Sequence, residues 1–144
     1  MIKVDYGAEI FLSGFNCAQA VFSAFSEDYG LDAGMACKIA GGLGSGARSA
    51  ELCGAVSGAV LVIGLKHGHN ITGDDAKKQK CNAETEEFMR LFHQANGSVV
   101  CRNLLDCDIS TTEGRERAME QNLFTTKCKD LVVSSISILI EMGY

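Results

Sequence analysis

Residues 53–65, CGAVSGAVLVIGL, form a run with almost no polar side chain on any face. A helix apolar nearly all round has to be enclosed by other elements, so this one stands at the centre of the fold. It is too short to span a bilayer, and Glu51 and Lys66 flank it. Gly54 and Gly58 are four residues apart and share one face, where another backbone can approach closely beside Cys53. The rest of the chain fits a helical protein. It has 16 glycines and no proline, so its breaks are made with glycine.

The remaining helices follow from their caps and apolar periods. A short first helix covers about 4–12 and ends at Gly14. A second begins at Asn16, where Asn16 and Gln19 have the spacing of a capping box and Val21, Phe22 and Phe25 form the inner face. Asp32 caps a third helix through Met35, Cys37 and Ile39. The glycine-rich loop GGLGSGARSAE then leads into the central helix. A polar helix covers about 75–95 and stops at Asn96-Gly97. Ser98 is placed to cap a short helix through Cys101 and Leu105, and residues 108–124 show no clear period. The last segment, 128–142, is rich in β-branched residues and reads as strand or helix. Its length, the preceding Thr125 and Thr126, and its helical neighbours favour helix. The expectation is an all-α fold, a compact single-domain bundle over 1–144 with a buried central helix and a glycine-rich loop.

The chain has seven cysteines, an odd number that rules out complete pairing within one chain. There is no secretory pattern at the N-terminus, which points to a cytoplasmic protein in which thiols stay reduced. Four of the cysteines fall at helix starts: Cys17 after Asn16, Cys53 at the head of the central helix, Cys101 after Ser98, and Cys128 after Thr126. Free N–H groups and the helix dipole favour a thiolate there. Cys37 reads as a small buried hydrophobe, Cys81 lies in the polar helix, and Cys107 has no assigned role. No CxxC occurs, so any shared site has to be assembled by the tertiary fold.

Read together, NCAQAV, the loop GGLGSGAR, the CGAxxG motif at Cys53–Gly58, GSVVCRNLL and the late Cys128 resemble the C_GCAxxG_C_C family of redox-active proteins. The resemblance implies an α-helical fold and a redox role. It carries the family's cysteines onto Cys17, Cys53, Cys101 and Cys128, and leaves out Cys37, Cys81 and Cys107. Some relatives occur with haem-bearing modules and iron–sulfur ligation; this chain has no CxxCH for covalent haem.

Three functions are consistent with these residues. The first is a four-cysteine metal site, foremost a 2Fe–2S cluster for electron transfer or redox sensing, with zinc as the inert version. Helix N-termini would stabilise the anionic cluster. The second is an oxidoreductase that cycles a cysteine pair such as Cys17/Cys53, with Cys53 as the attacking thiol. The third is a helical interaction module with buried cysteines. In the loop, Gly42, Gly44, Gly46 and Arg48 are candidates to lie against a cofactor, although GxGxxG is not matched and no strand precedes it. Ser57, one turn after Cys53, is placed to donate to its sulfur. His67 and His69 lie roughly 20 Å along the helix from Cys53, too far to share its site. The net charge of −5 and the lack of a basic run argue against nucleic acid, and no segment suggests membrane insertion. The partner is a redox protein of unspecified identity, and a homodimer is left open.

Overall fold

The computed structural model describes residues 2–144, and among these every regular element is helical. Eight α-helices follow one another: α1 (Lys3–Leu12), α2 (Cys17–Ser26), α3 (Ala33–Ile39), α4 (Gly54–His67), α5 (Asp75–Asn96), α6 (Cys101–Leu105), α7 (Thr112–Glu120) and α8 (Lys127–Glu141). None is long and apolar enough to cross a membrane.

The central apolar run becomes α4, which packs against α2, α5 and α8. Ala55, Val56, Ala59, Val62 and Ile63 are wholly buried. Its two early glycines set how near α2 comes. A Cβ on Gly58 would lie 2.8 Å from the Ala18 carbonyl oxygen, and one on Gly54 would lie 3.1 Å from the Cys17 Cβ. These close approaches bring the starts of α2 and α4 together. Phe22 and Phe25 from α2 and Phe88 and Phe92 from α5 fill the surrounding core.

The C-terminal segment is helix, as its length suggests. Cys128, Leu131, Val132, Ser135, Ile136 and Leu139 fall on one buried helical stripe, which an alternating strand would divide between two faces. Ser135 sits on that stripe because its hydroxyl donates to the Ala55 carbonyl at 2.7 Å. Residues 108–124, without a clear period in the sequence, contain α7. Its start is capped by Thr111, whose Oγ1 accepts from the Gly114 amide at 3.0 Å. Beneath α6 and α7 lies a second, smaller core of Ala50, Cys101, Leu105, Ile109, Ala118 and Cys128.

Two expected caps are absent. Val100 rather than Ser98 precedes α6, and the Ser98 hydroxyl accepts from the Val100 amide at 3.0 Å. Thr125 and Thr126 turn back to donate to the Asn122 carbonyl, so neither caps α8. In both places the hydroxyl finds a closer partner in the preceding turn.

Candidate functional site

Each of the four helix-start cysteines is placed by a different local device. Cys17 is the first residue of α2, behind a complete capping box: the Gln19 amide donates to Asn16 Oδ1, and the Asn16 amide to Gln19 Oε1, both at 2.8 Å. The same two side chains hold the glycine loop. Asn16 Nδ2 donates to the carbonyls of Ala40 and Gly41, and Gln19 Nε2 to that of Cys37.

Cys53 is the N-cap of α4, and Cys101 is the first residue of α6. A single antiparallel bridge between Leu52 and Val100 joins the two segments. The Cys53 amide donates to the Val99 carbonyl at 2.9 Å, and the Cys101 amide to that of Glu51 at 2.6 Å. Outside the bridge, Arg102 makes a two-pronged ion pair with Glu51, with contacts of 3.0 and 3.1 Å. The pair holds Glu51 below and Arg102 above their ordinary ranges. Cys128 is the second residue of α8, its amide bound to the Leu123 carbonyl at 2.9 Å.

These four cysteines line one cavity of about 320 Å³. Its other walls are mostly apolar, formed by Phe11, Leu104, Leu105, Ile109, Met119, Phe124 and Leu131. Asn16, Ser45 and Arg115 supply the polar side chains. Cys53, Cys101 and Cys128 are buried, while Cys17 keeps some exposed surface.

The thiols are not equivalent. Cys17 and Cys128 act on each other as neighbouring thiols. The Cys17 thiol pulls Cys128 below the ordinary thiol range, helped by neighbouring Lys127 and opposed by burial. Cys128, followed by burial, holds Cys17 well above it. Of the two, Cys128 is therefore the easier to ionise. Burial pushes Cys53 up to about 11, although the amides of Ala55 and Val56 act in the other direction without closing a cap bond. Burial, followed by the neighbouring thiols Cys53 and Cys128, pushes Cys101 up to about 12.

The idea that a helix start favours thiolate at all four positions is thus corrected. It fails at Cys17, Cys53 and Cys101, where a neighbouring thiol or removal from water outweighs the helix end. The raised Cys53 thiol does not favour the role of attacking group, and the neighbour that acts most on Cys17 is Cys128, ahead of Cys53. The Ser57 hydroxyl donates to the Gly54 carbonyl at 3.2 Å, leaving the Cys53 sulfur without it.

The glycine loop contributes less than its composition suggests. Gly42 is exposed, and Gly44 packs against the Asn16 side chain. Only Ser45 and Gly46 reach the cavity wall. Arg48 is exposed and borders a shallow outer recess together with Arg115, which also lines the cavity. Sequence reasoning missed Arg115, because it lies in the segment without a clear period. Of the other cysteines, Cys37 lies at an open groove beside α3, Cys81 packs against the main core, and Cys107 packs beside the small core that holds Cys101 and Cys128. His67 pairs with Glu84 at 3.7 Å, away from the cavity.

Among the described residues, no group of three or more His, Cys, Asp or Glu side chains is placed to hold a metal ion. The four cysteines nevertheless border one common space. Two-electron thiol chemistry needs a thiolate and a second thiol in reach of each other.

The helical fold and the four cysteines at one cavity define a class of small cysteine-rich redox protein. The chain matches the family described as "Putative redox-active protein (C_GCAxxG_C_C)" over residues 15–142, and it belongs to that family. Neither a curated protein nor a solved structure matches the chain.

Proposed function

We propose that the protein is a thiol–disulfide redox protein whose working couple is Cys17/Cys128. The observation that carries this reading is the position of the two thiols on one cavity, with Cys17 packed against the small core that holds Cys128. Cys17 holds Cys128 below the ordinary thiol range, which favours Cys128 as the thiolate. Cys128 is the attacking sulfur and Cys17 the resolving one. Cys128 loses its proton, and its thiolate attacks one sulfur of an incoming disulfide, forms a mixed disulfide and releases the other sulfur as a thiolate. Cys17 then loses its proton and attacks the Cys128 sulfur. The Cys17–Cys128 disulfide closes, and the second thiolate leaves. The protein dithiol has given up two electrons and two protons, and the incoming disulfide becomes two thiols. Cys53 and Cys101 remain protonated near neutral pH and form part of the wall around the reacting pair.

The test is anaerobic purification with iron, sulfide and zinc analysis, followed by oxidation and mass mapping of disulfides. The expected result is a metal-free protein that forms one reversible Cys17–Cys128 bond. Cys17→Ser and Cys128→Ser abolish that bond, while Cys53→Ser and Cys101→Ser leave it in place. Iron and sulfide in equal amounts, lost on replacing any of the four cysteines, would overturn this reading in favour of a 2Fe–2S electron carrier.

A further inference from the structure

Among the described residues, the cavity has one cationic side chain on its wall. Arg115 spends one N–H on the Ile109 carbonyl at 3.1 Å and lies over the Phe124 ring, 5.9 Å from its centre. A guanidinium has five donors in a rigid fork, so Arg115 has donors to spare. Among the described residues it has no carboxylate partner, and neither does Arg48. Arg115 and Met119 line both the cavity and the outer recess, and Arg48 borders that recess, as does a single acid, Glu116. The two spaces therefore meet at Arg115, one apolar and ending at the thiols, the other open and basic.

A cavity of about 320 Å³ is at the small end of sites for small molecules, ~300–1,000 Å³. The Cys128 and Cys101 residues keep only 7% and 6% of their surface exposed, which does not suit attack on a disulfide within another folded protein. It suits a small molecule that enters the cavity. We infer that the thiol pair acts on a low-molecular-weight disulfide with an apolar body and a carboxylate, the disulfide lying against Cys17 and Cys128 and the carboxylate between Arg115 and Arg48. The inference rests on the thiol–disulfide reading proposed above. With a cyclic disulfide the balance is simple. Cys128 opens the ring and forms a mixed disulfide, and Cys17 displaces it. The protein becomes Cys17–Cys128 disulfide, and the ligand leaves as a dithiol. The reverse sequence reduces the protein.

Lipoate is a suitable probe, lipoamide is its uncharged counterpart, and hydroxyethyl disulfide is a small uncharged disulfide without the apolar chain. The measurement is the rate at which each oxidises the reduced protein, followed as loss of free thiol. The expected order is lipoate, then lipoamide, then hydroxyethyl disulfide, with the lipoate-to-lipoamide ratio at about tenfold, the value of one charged contact of ~1.4 kcal/mol. Arg115→Gln brings that ratio close to one, and Arg48→Gln lowers it by a smaller factor. Because the readout is a ratio of two substrates, a general loss of folded protein does not mimic it. Equal rates for lipoate and lipoamide, or a ratio unchanged in both variants, would overturn the inference while leaving the thiol couple standing. If none of the three disulfides oxidises Cys17 and Cys128, the couple itself falls and the inference with it.

Discussion

The cavity has two walls built in different ways. On one side are the starts of α2, α4 and α8, helices of 10, 14 and 15 residues whose bodies pack in the main core. On the other are a looped segment, the five-residue α6 and the mostly exposed α7, joined to the bundle by one bridge and the Glu51–Arg102 pair. The first wall gets its stability from buried apolar surface, and the thiols on it are held by that packing. The second is held by the smaller apolar core and by backbone geometry. Ser45, Gly46, Ala47 and Arg48 are all left-handed, with φ between 55° and 62°, and Ala50 follows at 56°. For residues other than glycine such a backbone costs roughly 1–2 kcal/mol each. The difference teaches that the protein keeps one side of its thiol site rigid and spends backbone strain to shape the other.

The sharpest way to break the first wall is at its closest approach. Gly58→Val would push side-chain carbon into the Ala18 backbone, where even a Cβ would sit 2.8 Å from the carbonyl oxygen. The expected loss is about 3 kcal/mol, the upper range for overpacking, seen as a lower midpoint in urea. The comparison position is Gly64, on the same helix with nothing within 4 Å of an added Cβ. Gly64→Ala should stabilise by about 0.5–1 kcal/mol. A similar response at both glycines would mean that α2 does not rest on α4 as described.

The next effect is that of pH. Folded Cys53 and Cys101 remain thiols up to about 11 and about 12, whereas unfolded thiols ionise near ~8.5. Their contribution to stability is fully present below the unfolded value and is lost as pH rises through the folded values. Cys128 has the opposite sign. Its lowered value adds stability as pH rises, and that addition is complete once the unfolded value is passed. Urea melts from pH 8 to 11 should therefore show an alkaline decline of about 2–3 kcal/mol per buried thiol, at ~1.4 kcal/mol for each pH unit. Cys53→Ala and Cys101→Ala should each make the decline shallower relative to their own stability at pH 8. A decline of equal slope in both variants would place its cause elsewhere.

On the second wall the strain itself can be relieved. Ala47 is exposed, and its amide donates to the Leu43 carbonyl at 3.1 Å, a bond that glycine keeps. Ala47→Gly removes the left-handed penalty and should raise stability by about 1 kcal/mol, less whatever entropy the unfolded glycine gains. The same exchange at right-handed Ala55 in α4 should destabilise, so the two alanines respond with opposite signs.

These two walls also mark what the sequence makes legible. The apolar run at 53–65 foretells a central helix, because no other placement buries every face. The Asn16–Gln19 capping box and the Asp32 cap are found where their spacing puts them, because a cap is a contact between near neighbours. The second wall is different. Nothing in GSGARSA signals a left-handed turn through Ser45, Ala47 and Arg48, since L-residues seldom adopt one. The bridge from Leu52 to Val100 is a long-range pairing without a local pattern, and α7 buries only Ala118, too little to give a period. The sequence singles out the helix-start cysteines but does not fix their ionisation. The lowering of Cys128 depends on Cys17, far away in the chain, and the burial that raises Cys53 and Cys101 exists only once both walls are in place.

The smallest expected effect comes from the link that joins the walls. The Glu51–Arg102 ion pair lies on the surface, where water screens it, so Glu51→Gln should leave the urea midpoint almost unchanged. The pair nevertheless spans the single bridge that holds α6, and Arg102 also donates to the Ala50 carbonyl at 3.1 Å. Losing the pair should therefore allow α6 to open locally more often without destabilising the whole fold. Cys101 lies at the start of α6 and reports that opening directly. Its alkylation by iodoacetamide should become faster in Glu51→Gln, while alkylation of Cys53, fixed by the body of α4, should not. If both rates rise together, the two walls open as one unit and the division between them is wrong. If only Cys101 responds, the second wall is the movable side of the thiol site, and access to the cavity is set there.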